Sequence, residues 1–276
     1  FYVDAKKQLR FINDIHADSC DCISSEKIDI QQLFSYLKAE IVFKVIRLIN
    51  IKEDAEIKNY LKNIQLAYSL CQPFERYALL NMEKGYFPNN YSGFKSKQKV
   101  VFRRIEKKNK DKAHAILSVG TSVFPEKEIQ TLKEQMIKLG YRKKFFLKKN
   151  QLQLIKQLYN EKRLLLSVVQ KDNQMHAISF VLKSANEYLF WIDMFDDSKM
   201  INLFNYISYM RKVSVNESVV VNFGRGAYNY KIVNFKPTIK QLYAILVFEN
   251  RMQLYFSQFS DKILKEAKLI YRKIVK

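Results

Sequence analysis

The stretch EYLFWIDMFDDSKMINLFNYISYMRKVSVNESVVVNF, residues 187–223, decides the fold. Its two ends are rich in β-branched and aromatic residues, so we expect strands over 187–195 and 217–223. Between them, apolar residues recur at helical spacing, which predicts an amphipathic helix over 198–213 with Ser198 as its N-cap. The second strand lacks polar alternation and is expected to be buried on both faces, as in a crossover unit.

Three β-like runs precede the crossover helix in quick succession. RLLLSVVQ (163–170), MHAISFVL (175–182) and 187–195 are joined by KDNQ and KSANE, which are turn sequences. This spacing predicts an antiparallel meander. Farther upstream we expect a strand over 113–120 and helices over 125–140 and 150–160.

A glycine pair follows the crossover unit, in FGRGAYNYK. Gly224 and Gly226 flank Arg225 at the expected strand end, where glycine permits a positive φ or a close approach to a ligand. A short helix should start next, and a strand should follow over 242–248. Arginine can bind a carboxylate or phosphate in a forked geometry. The alternative interpretation is a turn with packed tyrosines and a solvated arginine.

An antiparallel meander followed by a β-α-β crossover resembles the GCN5-related N-acetyltransferase (GNAT) fold. VNFGRGAYNYK (221–231) is similar to a D-F-x-R-G-x-x-x-Y-K pattern of CelD/BioF2-like acetyltransferases, with Asn222 in place of the aspartate. That group is related to the FemAB/FemX aminoacyltransferases, which take amino acids from aminoacyl-tRNA. The resemblance implies an α/β fold, with a GNAT-like mixed sheet and flanking helices.

The first part of the chain repeats an element order of the second. Runs at 8–15, 29–39, 41–49, 52–70 and 75–82 read as strand, helix, strand, helix and strand. We therefore expect two tandem GNAT-like halves, the first of them incomplete. The expected division is an N-terminal half over 1–93, a basic linker helix over 94–112 and a C-terminal half over 113–276.

The resemblance places an acyl-transfer site between the strands at 187–195 and 217–223. Asp193 is the candidate base for an acceptor amine, and Tyr230 the candidate acid for a departing thiolate. The candidate substrate-binding residues are Arg225, Lys231, Tyr228 and His176. A carboxylate that caps a turn is the alternative for Asp193, and a packed core histidine is the alternative for both His176 and His114.

The resemblance also implies acetyl-CoA or another acyl-CoA as the donor. Its pyrophosphate would lie at the turn formed by Ser198, Lys199, Met200, Ile201 and Asn202. This turn lacks the glycines of the family pattern. Asp196 and Asp197 precede it and would repel a phosphate.

The formal net charge of +21 indicates an anionic partner. Residues 94–112 carry nine Lys/Arg and two acidic residues, and YRKKFFLKK (141–149) carries five basic residues and no acid. tRNA or an anionic membrane surface would suit these clusters. A lysine-rich composition is also what an AT-rich genome produces.

The three cysteines suggest reduced thiols and a cytoplasmic protein, and no transmembrane segment is recognisable. HADSCDC, with His16, Cys20 and Cys22, is a weak metal motif because no second ligand cluster accompanies it, so we expect no metal. There is no P-loop and no nucleophile elbow.

Three functions remain open at this point. The first is an N-acyltransferase that transfers an acyl group from acyl-CoA to an amine, with an amino sugar or a cell-envelope precursor as the acceptor implied by the resemblance. The second is FemX-like transfer from aminoacyl-tRNA. The third is a catalytically inactive binding protein with this fold.

Overall fold

A computed structural model of the chain describes residues 1–11, 18–20, 29–55, 57–58, 68–85, 94–198, 200–226, 228–248 and 250–255. The chain divides into two compact units, of which unit 1 comprises 1–76 and 240–276, and unit 2 comprises 77–239. In the ranges described, no helix is both long and apolar enough to cross a lipid bilayer.

Unit 1 is built on short strands and one helix. Its elements are β1 (Tyr2–Val3), β2 (Gln8–Arg10), α1 (Ile30–Glu40), β3 (Val45–Lys52), the first part of β4 (Ser69–Met82) and most of β10 (Thr238–Phe248). β1 pairs antiparallel with β2, β2 pairs parallel with β3, and β3 pairs antiparallel with β10. Leu9, Leu48 and Ile51 are fully buried in its core.

Two predictions in unit 1 are only partly testable. Of the strand expected over 8–15, residues 8–10 are extended and 12–15 lie outside the described residues. The helix expected over 52–70 is wrong at its ends, because 53–54 form a turn and 69–70 begin β4. Most of its middle lies outside the described residues.

Unit 2 contains the remaining elements, in the order that the sequence predicts. They are α2 (Ser96–Lys108), β5 (Ala113–Leu117), α3 (Glu126–Lys138), α4 (Lys149–Asn160), β6 (Leu164–Lys171), β7 (Gln174–Ser184), β8 (Glu187–Phe195), α5 (Ile201–Val213), β9 (Val219–Arg225) and α6 (Asn229–Phe235). The strand order from residue 77 onward is β4-β9-β8-β7-β6-β5. The antiparallel meander of β6, β7 and β8 is confirmed.

β8 and β9 pair in parallel over a short length only. Their register joins Glu187 to Val220, Tyr188 to Val221 and Leu189 to Asn222, and it stops there. β8 continues to Phe195 and β9 to Arg225, so the two strands separate beyond this point. This is the separation that the GNAT-like interpretation requires, and the mixed α/β sheet with flanking helices is confirmed.

A β-bulge lies in β8 immediately after the separation begins. Val181 of β7 pairs with Phe190, but Phe180 pairs with Ile192, which leaves Trp191 as the extra residue. Because side chains alternate along a strand, one extra residue exchanges the faces of everything that follows. Asp193 therefore lies on the same face as Phe190, which is the face that α5 covers.

Aromatic rings fill the core beneath α5 and α6. Phe190, Tyr206, Phe223 and Phe235 lie with ring centroids 4.5–6.1 Å apart. All four are at most 2% exposed. Aromatic side chains bury the largest apolar areas, so this cluster is the main packing contact of the crossover unit.

The start of α5 differs from the prediction. Its N-cap is Met200, in the left-handed conformation with φ 62°, and no side chain caps the helix. Ser198 lies two residues earlier and its backbone N–H donates to Asp196 Oδ1 at 2.9 Å. The aspartate side chain thus organises the turn that the serine was expected to organise.

Truncation of the aromatic cluster should lower the free energy of unfolding of unit 2. Phe223→Ala removes a ring that is 1% exposed, and we expect a loss of about 3–5 kcal/mol in the free energy of unfolding. Val123→Ala, at a position 90% exposed, should change it by less than about 0.5 kcal/mol. Urea unfolding followed by circular dichroism measures both, and equal effects would contradict this account of the core.

Candidate active site

Asp193 is the centre of a polar cluster where β8 has left β9. Its Oδ1 accepts a hydrogen bond from Ser179 Oγ at 2.7 Å, and its Oδ2 accepts one from the Tyr206 hydroxyl. Burial raises the pKa of this carboxyl, while Lys231, Tyr206, Ser179 and Arg142 act in the opposite direction. The carboxylate therefore titrates at a higher pH than an exposed aspartate does.

Tyr230 extends the cluster toward solvent. Tyr230 interacts with both Tyr206 and Asp193, and it is 37% exposed. Burial, followed by the charge of Asp193, raises the pKa of both phenols. Both therefore stay protonated at neutral pH. Tyr206 gives its single proton to Asp193, so its oxygen can still accept a hydrogen bond.

Lys231 lies inside the protein. It is 4% exposed, and its Nζ donates to the backbone oxygen of Phe223. The same Nζ lies 5.3 Å from the ring centroid of Tyr228 and 5.8 Å from that of Tyr230. Its charge also favours the ionised form of Asp193. This position makes Lys231 a buried counter-charge for the carboxylate, not the surface cation expected for substrate binding.

The rest of the Arg-Gly-Tyr motif forms the edge of the cluster. Arg225 ends β9 in register with Tyr77, and Gly226 follows with φ +84°. Tyr228 is 59% exposed, and its ring is parallel to that of Tyr230 with 6.2 Å between centroids. The left-handed Gly226 lets the chain turn here, and the ring of Tyr228 lies where a side chain at position 226 would be.

His176 contacts a different carboxylate. Its Nδ1 lies 2.6 Å from Asp196 Oδ2, and both side chains are largely buried. Asp196 also accepts the N–H of Ser198. The histidine predicted to bind substrate is therefore bonded to the turn before α5.

The turn predicted to hold a pyrophosphate uses part of its donors internally. The N–H of Ser198 is bonded to Asp196, and the N–H of Ile201 donates to the oxygen of Ser198 at 3.2 Å. Asn202 has a buried Oδ1 with no partner among the described residues. Met200 is partly exposed, and Lys199 lies outside the described residues. An anion bound here would lie next to the carboxylates of Asp196 and Asp197, and the turn has no glycine-rich loop to hold it.

Several residues of the cluster escaped the sequence analysis. Arg142 lies 51 residues before Asp193, yet its Nη2 donates to the backbone oxygen of Asp193 at 3.3 Å. Tyr206 and Ser179 come from α5 and β7. The sequence did offer one indication for Tyr206 and Ser179. Both are polar residues within otherwise apolar elements, and such residues are usually hydrogen-bonded.

A chain of buried hydrogen bonds continues from Ser179 through unit 2. Asn205 Nδ2 donates to Ser179 Oγ at 3.0 Å, and Ser167 Oγ donates to Asn205 Oδ1 at 2.7 Å. His114 Nε2 lies 2.9 Å from Ser167 Oγ and must carry the proton of that bond. Burial, with a smaller effect of Lys212, lowers the pKa of His114 to about 3. His114 is therefore a neutral structural residue.

Asn222 occupies the position of the family aspartate and joins β8 to β9. Its Nδ2 donates to Glu187 Oε1 at 2.7 Å, and its Oδ1 accepts the N–H of Gly224 at 2.9 Å. An amide can make both bonds, but a carboxylate could not donate to Glu187. The departure from the family pattern therefore has a local structural cause.

A metal centre is not found in the part of the chain that the structure describes, where no three potential ligands cluster. Cys20 and Cys71 are not part of a disulfide. His16 and Cys22 of the candidate metal motif lie outside the described residues.

No protein-family model matches the chain, and no curated protein sequence matches it. Three known structures are nevertheless similar to it in fold. The C-terminal domain (DUF2156) of a protein described as a lysylphosphatidylglycerol synthetase from Agrobacterium fabrum gives a TM-score of 0.60 at 12% identity, covering 85% of this chain and 77% of that chain.

The other two are L-PGS from Bacillus licheniformis and FemX. L-PGS gives a TM-score of 0.55 at 12% identity, covering 80% of this chain and 73% of its own. FemX gives 0.57 at 9% identity, covering 82% and 77%. Identities this low establish a shared fold and nothing finer. They agree with the Fem part of the sequence resemblance, while the CelD/BioF2 part stays a prediction.

The junction of β8 and β9 should not tolerate a carboxylate at Asn222. Asn222→Asp places two acceptors in contact, and we expect a loss of about 1–3 kcal/mol in the free energy of unfolding. Adding Glu187→Gln restores a donor and should recover most of that loss. Urea unfolding of the single and double variants measures this, and additive effects would contradict the proposed contact.

His114 should make the protein sensitive to acid. The unfolded chain protonates this histidine near pH 6.5 and the folded protein only near pH 3, so the unfolded state binds more protons between these values. Stability must therefore fall as pH falls through this window. Relative to His114→Gln, the wild type should lose about 1–2 kcal/mol between pH 7 and pH 5. Parallel slopes would show that His114 does not titrate as described.

Proposed function

We propose that the chain is a transferase that moves an acyl or aminoacyl group from an activated carrier to a nucleophile. The observation that carries the proposal is the cluster of Asp193, Tyr206 and Tyr230 at the point where β8 separates from β9, in which Tyr206 donates to Asp193 and Tyr230 interacts with both. The cluster joins a buried carboxylate of raised pKa to a phenol that reaches solvent. These three groups would form a proton relay that accepts a proton from a bound nucleophile.

During attack, the proton moves in one direction along the proposed relay of Tyr230, Tyr206 and Asp193. The acceptor amine or hydroxyl attacks the donor carbonyl and gives its proton to the oxygen of Tyr230. Tyr230 passes its own proton to Tyr206, which passes its proton to Asp193. The carbon–oxygen or carbon–sulfur bond of the donor then breaks, and the same relay returns the proton to the leaving atom. Neither phenol becomes a free phenolate, which fits their raised pKa values.

Two cations support this step. Lys231 is buried beside the cluster and favours the ionised form of Asp193, which is the form that accepts a proton. Arg142 interacts with both Asp193 and Tyr230, and its exposed guanidinium suits an anionic group of the substrate or the oxyanion that forms on the carbonyl. Arg225, at the end of β9, and Tyr228, just before α6, would serve the acceptor or donor.

Aminoacyl-tRNA is the donor that we favour. Asp196 and Asp197 place carboxylates next to the end of α5 where a CoA pyrophosphate would bind. A basic cluster that suits a tRNA backbone lies elsewhere, on α2. The similar fold of FemX supports the same donor class, because the FemAB/FemX group that the sequence resembles uses aminoacyl-tRNA.

Acyl-CoA is the second candidate, and the separation of β8 from β9 favours it. In the GNAT fold that the sequence resembles, acyl-CoA enters between these strands. The acceptor under either donor is an amine or hydroxyl of a small molecule or cell-envelope precursor, and the proposed setting is the cytoplasm. A binding assay with acetyl-CoA, longer acyl-CoAs and aminoacyl-tRNA, read by the fluorescence of the single tryptophan, Trp191, separates the two.

Loss of the reacting group of Asp193, Tyr206 or Tyr230 should abolish most of the acyl or aminoacyl transfer. We expect Asp193→Asn and Tyr206→Phe to lower kcat/KM by about 100-fold or more, and Tyr230→Phe to do the same. Activity should also fall as the pH drops through the raised pKa of Asp193, at a pH above that of an ordinary aspartate. Radiolabelled acyl or aminoacyl transfer to a panel of amines and hydroxyl acceptors measures these effects.

Matched controls exist outside the cluster. Tyr159→Phe removes a buried tyrosine hydroxyl that bonds Ser122, and Asp111→Asn removes an exposed carboxylate that pairs with Lys171. Both should keep full activity. If no donor changes the fluorescence of Trp191 and none supports transfer, the inactive binding protein is favoured instead. Unchanged activity in Asp193→Asn would refute the relay.

A further inference from the structure

The segment YRKKFFLKK, residues 141–149, is hereafter the basic loop, and it joins α3 to α4 in unit 2. Two of its three consecutive apolar side chains face the protein. Leu147 is 2% exposed, and Phe146 is partly buried beneath the guanidinium of Arg142, which lies 4.7 Å from its ring centroid. Phe145 is the exception, because 64% of it is exposed.

Backbone hydrogen bonds hold the tip of the basic loop in a tight turn. The N–H of Phe146 donates to the oxygen of Lys143 at 2.9 Å, which places Lys144 and Phe145 at the two central positions. On one side, the N–H groups of Tyr141 and Arg142 both donate to Met136. Phe145 is thus presented to solvent by a segment that is fixed at both ends.

Charge surrounds the exposed ring. The basic loop has five cations and no acidic residue, and the Nζ of Lys143 lies 5.8 Å from the centroid of Phe145. The ring of Tyr141 is 53% exposed and leans on Phe195 at 5.9 Å. Aromatic side chains prefer the boundary between lipid headgroups and acyl chains, and flanking lysines can reach the phosphates from there.

We propose that the basic loop docks on an anionic lipid bilayer, with Phe145 inserted between headgroups and its cations against lipid phosphates. Charge complementarity identifies the occupant as an anionic surface, and the exposed phenylalanine at the turn distinguishes a bilayer from a nucleic-acid duplex. A duplex phosphate backbone attracts the lysines but offers no apolar layer for Phe145. Anionic lipid supplies both contacts.

This surface contacts the strand that carries the candidate active site. Arg142 of the basic loop donates to the backbone oxygen of Asp193, and Tyr141 packs on Phe195 of the same strand. A bilayer bound at the tip of the loop would therefore hold the Asp193 cluster near the membrane surface. Lipid binding itself requires no turnover, so the docking proposal and the transfer proposal can fail independently.

Co-sedimentation with lipid vesicles tests the docking of the full chain. The vesicles contain phosphatidylcholine alone or phosphatidylcholine with about 30% phosphatidylglycerol, at low and at high salt. We expect binding only to the anionic vesicles. Lys143→Gln with Lys144→Gln should weaken it about tenfold or more at low salt, and Phe145→Ser should weaken it about tenfold at either salt concentration.

Two control variants remove the same chemistry elsewhere in unit 2. Val123→Ser changes an apolar residue that is 90% exposed, and Lys107→Gln with Lys110→Gln removes two exposed charges. Both should bind vesicles within about twofold of the wild type. Absence of binding to anionic vesicles, or equal binding by Phe145→Ser, overturns the proposal. If Phe145→Ser weakens binding to single-stranded or duplex RNA and leaves vesicle binding unchanged, the proposal is overturned and the basic loop is a nucleic-acid surface.

Discussion

The candidate site depends on one carboxylate that is taken out of water. Asp193 accepts hydrogen bonds from Ser179 and Tyr206, and Lys231 provides the nearby positive charge. A buried charge without such partners would be neutralised by protonation. The partners offset the cost of burial only in part, because the pKa of Asp193 is raised and not lowered. Its carboxylate is therefore a better proton acceptor than that of an exposed aspartate.

Backbone irregularities put this carboxylate where it can act. The extra residue Trp191 turns Asp193 toward α5, and the register with β9 ends at Leu189, just before it. A regular strand would point Asp193 to the opposite face and would cover its surroundings with β9. Asn222 holds the last paired position and is bonded to Glu187 in the first, so the paired stretch has a defined end.

The order of elements in unit 2 was predictable because hydrophobic periodicity and turn residues report it directly. The positions of Asp193 and of Tyr230 followed from the same reading, since both lie at ends of the crossover unit. The bulge at Trp191 was not predictable, because one surplus residue leaves an apolar strand looking regular. Arg142 and Tyr206 reach Asp193 only through tertiary packing, and the burial of Lys231 likewise depends on contacts that no local pattern encodes.

Carboxylates and clustered cations occupy different places in unit 2. The end of α5 that would receive a pyrophosphate is flanked by Asp196 and Asp197, and Asp196 already accepts the N–H of Ser198. The clustered cations lie instead on α2 and on the basic loop, whose Arg142 contacts the strand that carries Asp193. An anionic partner would therefore meet cationic side chains and not a backbone cradle. A surface of such side chains can contact a large polyanion or a bilayer over a wider area than the five residues of the turn can.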